Sequence, residues 1–135
     1  MNSKYKFHHI GIPTSEVGKN EHYSENFKMY TSDNNGKFRI QFHRFDDDSP
    51  LHPIIKEKPH IAFQVECLTE AIKNEKVILG PYEPIPNYKV AVIDDGGMPV
   101  ELVETTLTDE ELWAKSREQD DLNVDGLKNH RNADV

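Results

Sequence analysis

The chain writes one strand pattern twice. Residues 6–14 read KFHHIGIPT and residues 59–66 read PHIAFQVE: a histidine, an apolar residue, a small residue, an apolar residue, then a strand end. A second pattern closes each half. Ile40-Gln41-Phe42 and Val100-Glu101-Leu102 each set one polar residue between two apolar ones. A motif that recurs at about half the chain length marks an internal duplication. A duplicated chain of this size folds as two copies of one supersecondary unit sharing a core.

Alternation predicts a strand over 6–12, with Phe7, His9 and Gly11 on one face and His8, Ile10 and Ile12 on the other. His8 is expected to pack on the core side, away from the site. Residues 14–26 are polar, with Gly18, Asn20 and Asn26, and allow at most a weak helix. The runs 27–32 and 37–45 flank Asp33-Asn34-Asn35-Gly36, and Asn-Gly between two strand-like runs signals a hairpin because both residues accept positive φ. Ile40 and Phe42 are expected to lie under a helix. Residues 46–58, with three consecutive aspartates and Pro50 and Pro53, read as a loop.

The second half predicts a strand over 60–65 and a helix over 68–76 with Leu68, Ala71 and Ile72 on one face. A short strand over 76–79, a stiff loop through Pro81, Pro84 and Pro86, and strands over 88–93 and 99–104 around the Asp94–Gly97 turn complete it. The fold class is therefore α+β: two tandem βαβββ-type modules, about 6–58 and 59–104, forming one domain over 1–104. The first module is reduced, lacking a solid helix and one strand. A cupped mixed sheet encloses one cleft. Residues 105–135 add a short helix and a polar tail. Thr108-Asp109-Glu110-Glu111 fits a capping box opening a helix to about residue 117, docked by Leu112 and Trp113.

Composition narrows the function. Sixteen basic against 24 acidic residues give a net charge of −8, which disfavours binding to a phosphate backbone. No stretch is apolar over the length of a membrane span, and MNSKYKFHH carries no apolar leader. The single cysteine, Cys67, leaves no intrachain disulfide and fits a reducing compartment. The expectation is a cytoplasmic protein with a small-molecule partner and neither nucleic acid nor membrane.

Four positions match pairwise between the halves, His9 with His60 and Gln41 with Glu101. If both halves curl toward a common axis, these side chains converge. Two imidazoles, a carboxylate and an amide oxygen make a divalent-metal set that leaves positions open for substrate. His43 shares a face with Gln41 and is a candidate for pocket lining, ligation or proton transfer.

The stretches HHIGI, HIAFQV and MPVELVE resemble the vicinal oxygen chelate superfamily, which includes glyoxalase I, methylmalonyl-CoA epimerase, extradiol dioxygenases and bleomycin-resistance proteins. The resemblance spans residues 6–104. It implies metal ligands at His9, Gln41, His60 and Glu101, a set similar to that of methylmalonyl-CoA epimerase and some glyoxalases. It implies a divalent ion (zinc, nickel, cobalt, manganese or iron) and a glyoxalase-like lyase or isomerase moving an α-proton of a small oxygen-rich carbonyl compound. Glu101 and His43 are then the catalytic candidates. The Pro-rich loop would border the cavity with Tyr82, Tyr88 and Lys89, Lys89 either meeting an anionic substrate or standing solvated on its hairpin. The alternatives are an extradiol-type dioxygenase with Fe(II) on His9, His60 and Glu101, or a non-catalytic binding protein. A homodimer would cover unpaired strand edges.

Overall fold

The computed structural model describes residues 4–34, 36–108 and 110–112. The elements run β1 (Lys6–Pro13), β2 (His22–Ser24), β3 (Met29–Asp33), β4 (Ile40–Phe45), α1 (Pro53–Glu57), β5 (His60–Gln64), α2 (Leu68–Ala71), β6 (Val77–Ile85), β7 (Tyr88–Asp95) and β8 (Met98–Thr105). The eight strands form one mixed, curled sheet in the order β2-β3-β4-β1-β5-β8-β7-β6.

This order is the duplication made visible. In each half the first strand pairs parallel with the last, β1 with β4 and β5 with β8. The remaining strands then add antiparallel outward. The halves join through β1 and β5, which run antiparallel at the centre of the sheet. In that join His9 stands opposite Ala62, and His60 stands opposite Gly11. Gly11 pairs with Gln41 as Ala62 pairs with Glu101. The register thus exchanges one set of positions for the other, as an approximate two-fold axis requires.

The halves differ in what covers their outer face. Over β5, β8 and β7, α2 and its flank bury Leu68 against Val65, Ala91, Ile93 and Leu102. The first half has no counterpart helix among the described residues. The stretch expected to be weakly helical instead contributes β2, so the strand thought missing is present and only the helix is absent. Ile40 and Phe42 are accordingly only half-buried. A polar stack finishes that side: the Arg44 guanidinium lies 3.9 Å from the Tyr30 ring centre and makes two hydrogen bonds to the Glu21 carboxylate. Tyr23 packs beside Tyr30 and donates to Asp46 at 2.6 Å.

Other boundaries move for local reasons. Helix α2 ends early because Ile72 caps it and Asn74 takes a φ of 67°. The Pro-rich stretch continues as strand to Ile85, and prolines are tolerated there because β6 is an edge strand with an irregular register. Inside the presumed 46–58 loop, Pro53 opens α1 and His52 caps it by accepting from the Ile54 amide at 3.2 Å. The β7–β8 hairpin turns on Gly96 and Gly97, both at positive φ, as a two-residue turn demands. The capping box forms as expected: the Thr108 amide donates to Glu111 at 2.9 Å, and the Glu111 amide donates to Thr108 Oγ1 at 3.1 Å. The expected continuation of this helix, with Trp113, lies outside the described residues.

Candidate metal centre and cavity

The four central strands aim their concave-face side chains at one place. His9, His60 and Glu101 come together with one ligand atom each, all within 4.8 Å of one another. Glu101 Oε1 lies 3.4 Å from His9 Nε2 and 2.9 Å from His60 Nε2. The His60 nitrogen is nonetheless off the line a hydrogen bond needs and has no such partner among the described residues. Three ligand atoms brought this close, one nitrogen among them unpartnered, point at a shared centre.

The spacing fits a cation. Ligand bonds of about 2.1 Å place neighbouring donor atoms about 3.0 Å apart in octahedral geometry and about 3.4 Å apart in tetrahedral geometry. The observed 2.9 and 3.4 Å lie within about that range, as they also do for imidazole–carboxylate pairs, and the two histidine nitrogens lie within 4.8 Å of each other. Glu101 is also kept as a carboxylate. Burial works to raise its pKa, but His9 and His60 together hold it well below the ordinary value. Gln41, opposite Gly11, lines the same cavity and can add an amide oxygen.

Gly11 makes the space. A β-carbon there would lie 2.2 Å from His60 Cε1, 2.7 Å from His60 Nε2 and 2.8 Å from His43 Nε2. Both imidazoles therefore lean over the bare backbone of β1. Ala62, the two-fold counterpart, is fully buried under His9.

His8 departs from simple alternation. A bulge between Phe7 and His9 brings the two adjacent rings together, with His8 Nδ1 2.9 Å from His9 Nδ1 and both residues buried. The other side of His8 packs toward Tyr88. The sequence could not announce this contact, because a bulge is invisible in the alternation it breaks.

His43 breaks the two-fold pattern. It pairs with Thr31 across β3 and β4, where the second half pairs Val103 with Val90. Its Nδ1 lies 3.0 Å from Thr31 Oγ1, and its ring stacks on His60 at 5.4 Å. Nε2 is buried and has no hydrogen-bond partner among the described residues. Burial first, then the neighbouring His60 and His9, push its pKa down to about 3, so the ring stays neutral.

Beyond these groups the described lining is mostly apolar, with the two tyrosines Tyr82 and Tyr88 in it. Phe27 and Tyr82 meet edge to face at 5.2 Å across it. The α1 segment contributes Leu51 and Ile55, which pack with Val92. Leu112 reaches the cavity from the short capped segment and packs with Tyr88 and Ile85. Of the three residues expected around the Pro-rich stretch, Tyr82 and Tyr88 line the cavity; Lys89 is exposed on the other face of β7 and does not. The alternation of β7 explains this, since Tyr88 and Val90 point inward and leave Lys89 outward.

No family model and no curated protein sequence matches the chain. Among solved structures, methylmalonyl-CoA epimerase from Mycobacterium tuberculosis is similar, with a TM-score of 0.58 and 16% identity over 84% of this chain and 95% of that one. With the topology above, this likeness shows that the chain has the vicinal oxygen chelate fold.

Proposed function

We propose that the protein is a metal-dependent enzyme that transfers an α-proton of a small carbonyl compound. The carrying observation is the convergence of His9, His60 and Glu101 at cation-compatible separations. These three residues would hold a divalent ion, with the Gln41 amide oxygen beside them. Bound there, the ion would supply positive charge to the carbonyl oxygen as negative charge develops on it.

Glu101 cannot serve at once as a fixed ligand and a free base. Held as a carboxylate between two imidazoles, it takes the ligand role. His43 then carries the proton. Its Nδ1 is tied to Thr31, and its Nε2, buried and without a hydrogen-bond partner among the described residues, leans over the Gly11 backbone at the edge of the cavity. Burial that pushes its pKa down to about 3 makes this ring a weak base, far from the near-neutral value that favours proton transfer, so the role rests on its position and not on its basicity.

The test is metal content of protein purified without an affinity tag, beside His60→Ala, followed by α-proton exchange in D₂O observed by NMR. One divalent ion per chain, lost in the variant, with exchange reduced about 100-fold in His43→Phe, is the expected result. Absence of metal even after reloading, or full exchange in Glu101→Ala, would sink the proposal. The three-residue group alone favours a second reading, because two histidines and one carboxylate also suit Fe(II) dioxygen chemistry. Dioxygen uptake with a catechol by the iron-loaded protein separates the two.

A further inference from the structure

The duplication supplies an internal control for the convex face of the sheet. Phe42 on β4 and Leu102 on β8 are two-fold counterparts, each one residue past the matched Gln41 and Glu101. Leu102 is 3% exposed, because α2 and its flank bring Leu68 and Ile72 over that half. Phe42 is only half-buried, and so are its neighbours Ile10, Ile12 and Ile40 on the same face. Ile61, paired with Ile10, carries this apolar surface across the join.

The surface extends at both ends. Phe7 stands opposite Phe63, which packs in the α2 cluster, and Tyr5 meets Phe63 edge to face at 6.2 Å. Past the end of β1, Gly18 lies against Ser32, whose pair is Phe42, and sets Val17 beside it. Tyr5, Phe7 and Val17 are 53%, 50% and 75% exposed. With the half-buried isoleucines and Phe42 they leave about 500 Å² of apolar side chain outside. Homodimer interfaces are about 65% apolar, so a patch of this size belongs to an interface of about 800 Å² per partner. That is the area of a stable, specific pairing.

We infer that two copies of this chain pair back to back through this face, sheet against sheet. Its central side chains are uncharged, and in a chain of net charge −8 that is where two copies approach with least repulsion. The sheet edges offer less: β2 has three residues, and β6 carries Pro81 and Pro84. Leu112, the last described residue, lines the cavity beside Tyr88, so the described chain ends on the opposite side of the sheet. Ile10, Ile40 and Ile61 each adjoin a residue of the candidate centre on their own strand, His9, Gln41 and His60. The pairing therefore braces the strands that present the centre, and it holds whether or not a metal binds there.

Sedimentation equilibrium of the full chain tests the inference. The parent should sediment at twice the 15.6 kDa of one chain. In Phe7→Lys with Val17→Lys the dissociation constant should rise at least about 100-fold. Both side chains are half or more exposed, so this variant should keep the parent's melting temperature. Phe7→Leu keeps the face apolar and should keep the dimer. Val77→Lys, at an exposed apolar site on β6, should keep it too. A parent that is monomeric at every concentration overturns the inference, whether residues 113–135 or another protein covers the face. A dimer that survives both lysines on the face, or that Val77→Lys breaks as readily, places the interface elsewhere and overturns it as well.

Discussion

His60 occupies the space that a side chain on Gly11 would fill: a β-carbon at position 11 would stand 2.2 Å from its Cε1. The two residues are directly opposed across β1 and β5, so one strand's missing side chain seats the other strand's imidazole. Gly11→Ala should therefore fold, because the obstructing atoms are ring ends and not backbone. Overpacking here should cost about 1–3 kcal/mol of stability. Metal affinity should suffer more, since both His60 and His43 must swing away. Thermal melts beside zinc titrations measure the two effects separately. Unchanged zinc affinity in a folded variant would show that His60 does not need this seat.

His8 should act on the metal through His9. Only one proton can lie between two Nδ1 atoms 2.9 Å apart. When that proton sits on His9, His9 donates to His8 and leaves its own Nε2 bare toward Glu101. His8→Phe keeps a ring beside Tyr88 but removes the acceptor, and zinc affinity should fall about 10–100-fold. His8→Asn places an oxygen near the former Nδ1 and should recover most of the loss. Equal losses in both variants would assign His8 a packing role instead.

The repeated strand made the pairing of His9 with His60 legible, because period-two alternation fixes which side chains share a face. The same rule put Gln41 and Glu101 opposite their apolar neighbours, and both line the cavity. Alternation fails where the backbone stops alternating. The bulge before His9 drew His8 to the site's edge, and no residue type announces it. The helix expected over Ile40 and Phe42 could not be recovered from local pattern either. Its place is taken by Glu21, Arg44, Tyr30 and Tyr23, which come from separate segments and meet only once β2 has paired. The nearness of Lys89 to the Pro-rich stretch suggests a place at the cavity, although 88–93 reads as a strand; the alternation of β7 turns it away from the face that carries Tyr88 and Val90.

That polar stack gives a pH dependence. The hydrogen bond from Arg44 holds the Glu21 carboxyl below its usual value of 4.5, against the opposing effect of burial and with help from the Gly18 amide. The folded state thus binds this proton less readily than the unfolded chain does. The resulting stability is fully present above about pH 4.5 and is lost as pH falls through the lower folded value. In Glu21→Gln the melting temperature should drop at pH 7, by an amount matching about 1–2 kcal/mol. The gap to the parent should narrow as pH falls below about 4.5. A gap of constant size from pH 7 to 3 would show that the ion pair is not its source.

The last wall of the cavity depends on a short capped turn. Leu112 is 6% exposed, packs with Ile85, Tyr88 and Val90, and lies in the first turn after a capping box. The Thr108 carbonyl accepts from the Leu112 amide at 2.8 Å, and Thr108 Oγ1 accepts from Glu111. Thr108→Ala removes the side-chain half of that cap and should cost about 1 kcal/mol locally. The loss should appear as faster amide exchange at Leu112 with little change in exchange across β7 and β8. Ligand affinity should fall with it, because an opened turn exposes the apolar end to water. Unchanged exchange at Leu112 in Thr108→Ala would show that packing against Ile85, Tyr88 and Val90, and not the cap, holds this turn.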